Sequence, residues 1–273
     1  SMKNLILLLL LALSFGTVTD IDGNIYETVQ IGEQLWMAEN LKVTHYNNGD
    51  EIANITDYTE WNNLSTDAYS IYDNEPSNAD IYGNLYNWYA VDDNRGICMD
   101  GWHVPTHDEW TALERYICSE ISNNTNCFDE FPYDPFTQGG LGSSEGGHLK
   151  EAEGGYWENY DGATNLSGFT GLPSGAREIT GLGFSEDFGL SSWGWYWTAT
   201  QYNSNNSWYR TIRSNYSFVG RYHGLKTRGS SVRCLSDESS NLFGCTNPGA
   251  CNYDETATAN DGSCEYEFDC AGV

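Results

Sequence analysis

The chain has 273 residues, with 39 acidic against 12 basic side chains and a formal net charge of −27. That excess of acid repels phosphate backbones and anionic bilayers, so nucleic acid is excluded as the main partner. Aromatics at 14%, 29 glycines and eight cysteines describe a folded, loop-rich chain and exclude a disordered polyanion.

After Ser1 and Met2, Lys3 is followed by an apolar run from Leu5 to Phe15. The run is too short to span a bilayer, which takes about 20 residues, and it fits the apolar region of a secretory signal. Residues 1–16 are therefore expected to be an export segment. The mature chain is expected to carry no membrane span, to be secreted or at the cell surface, and to pair its cysteines. Gly23–Ile31 reads as a strand entered through an Asp-Gly turn, with Gln34–Ala38 as its hairpin partner. The clearest helix opens at Pro105-Thr106, carries Glu109 at capping-box spacing and aligns Trp110, Leu113 and Ile117 on one face. Late in the chain, residues 194–200, 207–213 and 230–235 alternate as strands. Leu235–Asn241 has linker composition, and Cys245, Cys251, Cys264 and Cys270 then crowd into a tail too short for a hydrophobic core. Three domains are expected: the export segment, a main domain over residues 17–237, and a Cys-rich tail over 238–273 that looks cut short at Val273.

Seven segments occur in a distinctive order: DIDGNIYETVQIGEQLWMAENLK at 20–42, YGNLYNWYAV at 82–91, GWHVPTHDEW at 101–110, HLKEAEGGYW at 148–157, ATNLSGFTGLPSG at 163–175, YWTAT at 196–200 and SVRC at 231–234. On these segments the chain resembles the Fibrobacter succinogenes major paralogous domain family over about Val18 to Asp237. The resemblance implies a secreted bacterial domain of α+β class with the C-type-lectin-like fold, loop-rich, with few helices and short antiparallel strands. It also implies a distant kinship with formylglycine-generating enzymes. Those enzymes hold copper with a cysteine pair near the C-terminal end of the domain, whereas the closing strands here supply Cys234 alone. Cys98 is expected to pair with Cys234, and Cys118 with Cys127, so an oxidase of that kind lacks its second cysteine and no catalytic residue is expected.

Other chemical candidates are weaker. His103 and His107 are separated by Pro105, which keeps them off one helical face, so His103 is expected beside Trp102 and His107 in solvent. No Gly-rich phosphate loop followed by Lys-Ser or Lys-Thr occurs. Glu75-Pro76-Ser77 is similar to the Glu-Pro-Asn motif of calcium lectins but lies too early in the chain. Asp20-Ile-Asp22-Gly23-Asn24 lacks the downstream Glu of an EF-hand and is expected to be a plain turn. In the tail, which resembles short Cys-rich Asp-Gly repeats of secreted bacterial proteins, Asp254, Asn260 and Asp261 offer hard oxygens that fit calcium.

Between Phe188 and Ser236 there is no acid at all, yet the segment holds six basic residues and is rich in Trp and Tyr. Part of it is expected to be core, with Trp195, Trp197 and Ile212 inward and arginines answering carboxylates elsewhere. The rest is expected to form an outward binding face of Tyr209, Thr211 and Arg213, extended by a loop from Tyr216 to Arg228 that presents Tyr216, Arg221, Tyr222 and Lys226. Planar rings suit sugar C–H faces, and guanidinium forks suit hydroxyl or carboxylate oxygens. The expected function is a non-catalytic recognition or adhesion module for an extracellular glycan or an acidic protein surface. The alternative is a self-assembling subunit of an extracellular array or filament, whose basic face docks on the acidic body of the next copy.

Overall fold

A computed structural model describes residues 16–158, 162–177, 184 and 189–239, and in the tail residues 243–245, 247–251, 253, 257, 259–260 and 264. Residues 1–15 of the expected export segment lie outside the described residues. So do Asp254 and Asp261, and of Asn260 only the backbone is described.

The Asp-Gly turn forms as expected. Asp20 Oδ1 accepts the amides of Asp22 and Asn24, Oδ2 accepts the Tyr26 hydroxyl at 2.6 Å, and Gly23 takes φ +83°. The turn joins β1 (Thr17–Thr19) to β2 (Ile25–Ile31), which pairs with β3 (Gln34–Met37). A loop-rich stretch follows with α1 (Tyr58–Asn62), β4 (Tyr69–Ser70), α2 (Pro76–Tyr82), β5 (Leu85–Tyr86), α3 (Trp88–Val91) and β6 (Trp102–His103). Helix α4 (His107–Tyr116) opens with a complete capping box, in which the Glu109 carboxylate accepts the Thr106 amide at 2.7 Å. It runs into a π-type turn (Ile117–Ile121) and is followed by α5 (Cys127–Glu130), β7 (Gly139–Leu141) and α6 (Glu145–Leu149). The long strands come last: β8 (Trp193–Gln201), β9 (Asn206–Arg213) and β10 (Tyr216–Leu225), then β11 (Leu235–Ser236) and the tail strands β12 (Phe243–Gly244) and β13 (Ala259–Asn260).

Two antiparallel sheets organise the main domain, in the orders β1-β2-β3-β11-β6 and β7-β10-β9-β8. The α+β, loop-rich expectation therefore holds. The expected loop from Tyr216 to Arg228 is instead mostly β10. Its paired course is broken by a register shift between Tyr216 and Gly220, and glycines at 220 and 224 hide the alternation. Gly220 faces Thr211, whose Oγ1 a Cβ at 220 would strike. The expected strand at 230–235 shrinks to β11 because the segment bonds alternately to both sheets. Ser231 bridges Trp195 and Trp197, while Val232 and Cys234 accept from Leu41 and Met37. A chain that changes partner at each residue builds no ladder with either.

The segment thus forms a seam between two cores. One contains Tyr26, Met37, Trp88, Trp195, Trp197, Tyr209 and Val232; the other contains Val29, Trp36, Trp110, Leu113, Phe169, Tyr196, Ile212 and Val219. Alternation on β8 and β9 sends Trp195 and Trp197 to the first core and Ile212 to the second, so these three do not share a face. Disulfides Cys98–Cys234 and Cys118–Cys127 form as expected, and Cys245–Cys264 staples the tail. Among the described residues no helix is long and apolar enough to cross a membrane.

Candidate functional site

A sheet with a core on each side has little outward face, and this decides the fate of the expected site. Tyr209 is buried, its ring centroid 5.1 Å from that of Trp195 and 5.9 Å from that of Trp197. Thr211 is fully buried. Arg221 is fully buried on the opposite face, where it donates to Glu114 Oε2 at 2.7 Å, Thr111 Oγ1 at 3.0 Å and the Pro132 carbonyl at 2.8 Å. Lys226 is buried, donating to Gln201 Oε1 at 2.7 Å with its Nζ 4.3 Å from the Trp88 ring centroid. These four are structural. Arg213 and Tyr222 are half-buried and Tyr216 is 49% exposed, so these three remain accessible.

The arginines on the helix-facing side form a triad. Arg210 and Arg221 are cross-strand neighbours, and Glu114 of α4 takes Arg210 Nε at 2.5 Å while its other oxygen takes Arg221. Here the arginines answer a distant carboxylate, as expected for part of the window. Arg233, also fully buried, donates instead to Asn40 Oδ1 and to the carbonyls of Met37, Phe169 and Thr170, and burial pushes its pKa down to about 10. His107 is not solvated. It packs on Trp208 with Nδ1 3.3 Å from Arg210, and burial, then the charges of Arg210 and Arg221, push it down to about 2. His103 is gripped by two carboxylates, Asp237 at 2.6 Å and Glu109 at 2.9 Å.

The accessible three gather at the β9–β10 turn. The Arg213 guanidinium stacks 3.7 Å from the Trp193 ring centroid, and Trp193 is itself stacked on Trp195. Arg213 also bonds Tyr222, but among the described residues no carboxylate lies within ion-pair reach of it and its Nε has no partner. A cavity of about 110 Å³ opens here, lined by Ser192, Trp193, Arg213, Ser214, Asn215 and Tyr216. Buried Lys150 props the turn from within, donating to the carbonyls of Tyr216 at 2.7 Å and Ser214 at 3.4 Å, and burial lowers its pKa to about 8. Sequence reasoning missed Ser192, Asn215 and Lys150. Trp193 was legible as the outermost member of the Trp193-Trp195-Trp197 alternation.

Elsewhere a groove of about 790 Å³ is lined by Glu27, Glu39, Asp80 and Glu151 with Ile25, Ile81 and Tyr156 and, among the described residues, by no basic one. Among the described residues no lysine or arginine is exposed: Lys42, Arg95, Arg115, Arg213 and Arg228 are half-buried and the others buried. Glu75-Pro76-Ser77, too early in the chain for the calcium-lectin motif it is similar to, lies at the start of α2, and Asp20–Asn24 forms the plain turn expected of it.

The model of the Fibrobacter succinogenes major domain family matches residues 29–236, well over half of the chain. No curated protein and no solved structure matches it.

Proposed function

The chain belongs to the Fibrobacter succinogenes major domain family, and from that premise we propose that it is an exported, non-catalytic recognition module of C-type-lectin-like architecture. Its ligand is an extracellular glycan, held on the shelf of Trp193, Arg213 and Tyr216. The observation that carries this reading is the Arg213 cation, held over an indole at the rim of a cavity with no carboxylate within ion-pair reach among the described residues. A planar fork of donors beside an exposed ring suits a sugar that presents a carboxylate or paired hydroxyls, with its C–H face on the aromatic surface. The two antiparallel sheets and the bond from an early loop to the closing segment support the lectin-like architecture. The disulfides support export.

The array alternative requires a basic face, and four of the six basic residues of the acid-free window are buried. Charge-driven docking on an acidic body therefore has little to act through, and we carry the recognition reading alone. Screening the intact chain against a glycan array that includes uronic-acid and neutral oligosaccharides tests it. Arg213→Ala and Tyr216→Ala should each lower affinity for the captured sugar at least about tenfold, the scale of one lost charge-assisted contact, with the circular dichroism unchanged. Capture that both variants leave intact would overturn the assignment of the shelf.

A further inference from the structure

The acidic groove is built where the outer face of β1 and β2 meets α2. Strand alternation puts Thr17, Ile25 and Glu27 on that face: Thr17 stands opposite Glu27 in the antiparallel register, all three are exposed, and Tyr26 between them is fully buried. Glu39 joins them from just beyond β3, Asp80 and Ile81 come from α2, and Glu151, Tyr156 and Leu172 come from the loops that follow α6. Two contacts hold the sides in place. Asn40 Nδ2 donates to the Tyr82 carbonyl at 2.8 Å, and the Tyr82 and Tyr156 rings meet edge to face at 6.0 Å. Glu151 is only 7% exposed; its Oε1 accepts the amides of Glu153 and Gly154, and its Oε2 is buried with no partner among the described residues.

Four carboxylates in one groove, answered by no basic side chain among the described residues, focus a negative potential there. The groove is also apolar: Ile25 is 63% exposed and Ile81 45%, so an occupant has aliphatic surface to cover as well as charge to meet. One metal ion does not fit, because none of the groove's carboxylates belongs to a set of three ligand atoms within 4.8 Å of one another among the described residues. A second copy of the chain does not supply the cation, since none of its described lysines or arginines is exposed. A bare polyamine would meet the charge and leave the isoleucines in water. We propose that the groove seats an extended segment of a partner protein that carries lysine or arginine beside aliphatic residues. Its basic groups meet Glu27, Glu39 and Asp80, and one of them supplies the donor that Glu151 Oε2 lacks. Its aliphatic side chains cover Ile25 and Ile81. This surface is separate from the Arg213 shelf.

Fluorescence anisotropy of the intact oxidised chain with a dye-labelled hexapeptide of alternating lysine and valine tests the assignment. The wild type should bind this probe, and less tightly as salt screens the exposed charges. A lysine–serine hexapeptide should bind at least about tenfold more weakly, having no aliphatic surface to bury, and a glutamate–valine hexapeptide should not bind. Asp80→Lys and Ile81→Ser, both at exposed positions of α2, should each weaken the probe at least about fivefold with the circular dichroism unchanged. If either change disturbs α2, Glu27→Gln on the sheet side should still weaken it about twofold or more. Equal binding of the lysine–valine and lysine–serine peptides would overturn the proposal and assign the groove a bare polycation, as would displacement by an equal concentration of spermidine. No binding up to about 1 mM probe, or binding that all the variants leave intact, would also overturn it. So would a concentration-dependent dimer that Asp80→Lys abolishes, which would make a second copy the occupant.

Discussion

Arg210 and Arg213 lie three residues apart on β9 and face opposite sides of one sheet. Arg210 is fully enclosed and shares Glu114 with Arg221, while Arg213 lies on the Trp193 ring at the rim with no carboxylate among the described residues. The difference is one of cover. Helix α4 and its carboxylate lie over the first position, whereas the second is at the strand's end, beyond the first core. A buried cation held by a buried anion is a structural commitment, and a cation on an aromatic shelf is available to a ligand.

The contrast predicts effects of different size. Glu114→Gln removes the carboxylate that pairs with both enclosed guanidinium groups and should cost about 3–5 kcal/mol in urea unfolding. A loss below about 1 kcal/mol would break the distinction. Arg233→Lys removes a fork that reaches three carbonyls and Asn40, and should cost roughly 2 kcal/mol by the same measurement. His103 sharpens the comparison through a cation that titrates. Burial opposes its protonation, but bonds and charge from Glu109 and Asp237 outweigh burial and hold its pKa above the usual imidazole value. The imidazolium's contribution is therefore complete below about pH 6.5, the unfolded value, and is lost as pH rises through the higher folded value. Melting curves of wild type and His103→Gln should converge across that rise, and a gap that widens instead would refute the clamp. The smallest effect on stability belongs to Arg213→Ala, under about 1 kcal/mol as for a partly exposed cation–π pair, although it should lower ligand affinity at least about tenfold.

Local signals carried much of this fold. The Thr106–Glu109 capping box, the Asp20 turn and the β2–β3 hairpin depend on residues a few positions apart, and all formed as read. The helices shorter than two turns, such as α3 and α5, were not legible, because so short a segment cannot display a 3.6-residue period. Strand β10 was hidden by its glycines and its irregular register. The parity of the expected site was sound, since Tyr209, Thr211 and Arg213 do share a face. What failed was the step from acid-free to exposed. Glu114 answers Arg210 and Arg221 from about a hundred positions away, and no reading of the window itself reveals that second layer of cover.

The placement of the basic side chains has a chemical corollary. Trypsin-like proteases cut after lysine and arginine, and they need the flanking backbone extended in their cleft. Over the described residues the folded chain offers them none of these residues in an exposed position, while glutamate and aspartate crowd the outside. Native digestion should therefore spare the body under trypsin and nick it under a glutamate-specific protease. Among the described residues, acylating reagents aimed at amines should likewise find little to modify beyond the half-buried Lys42.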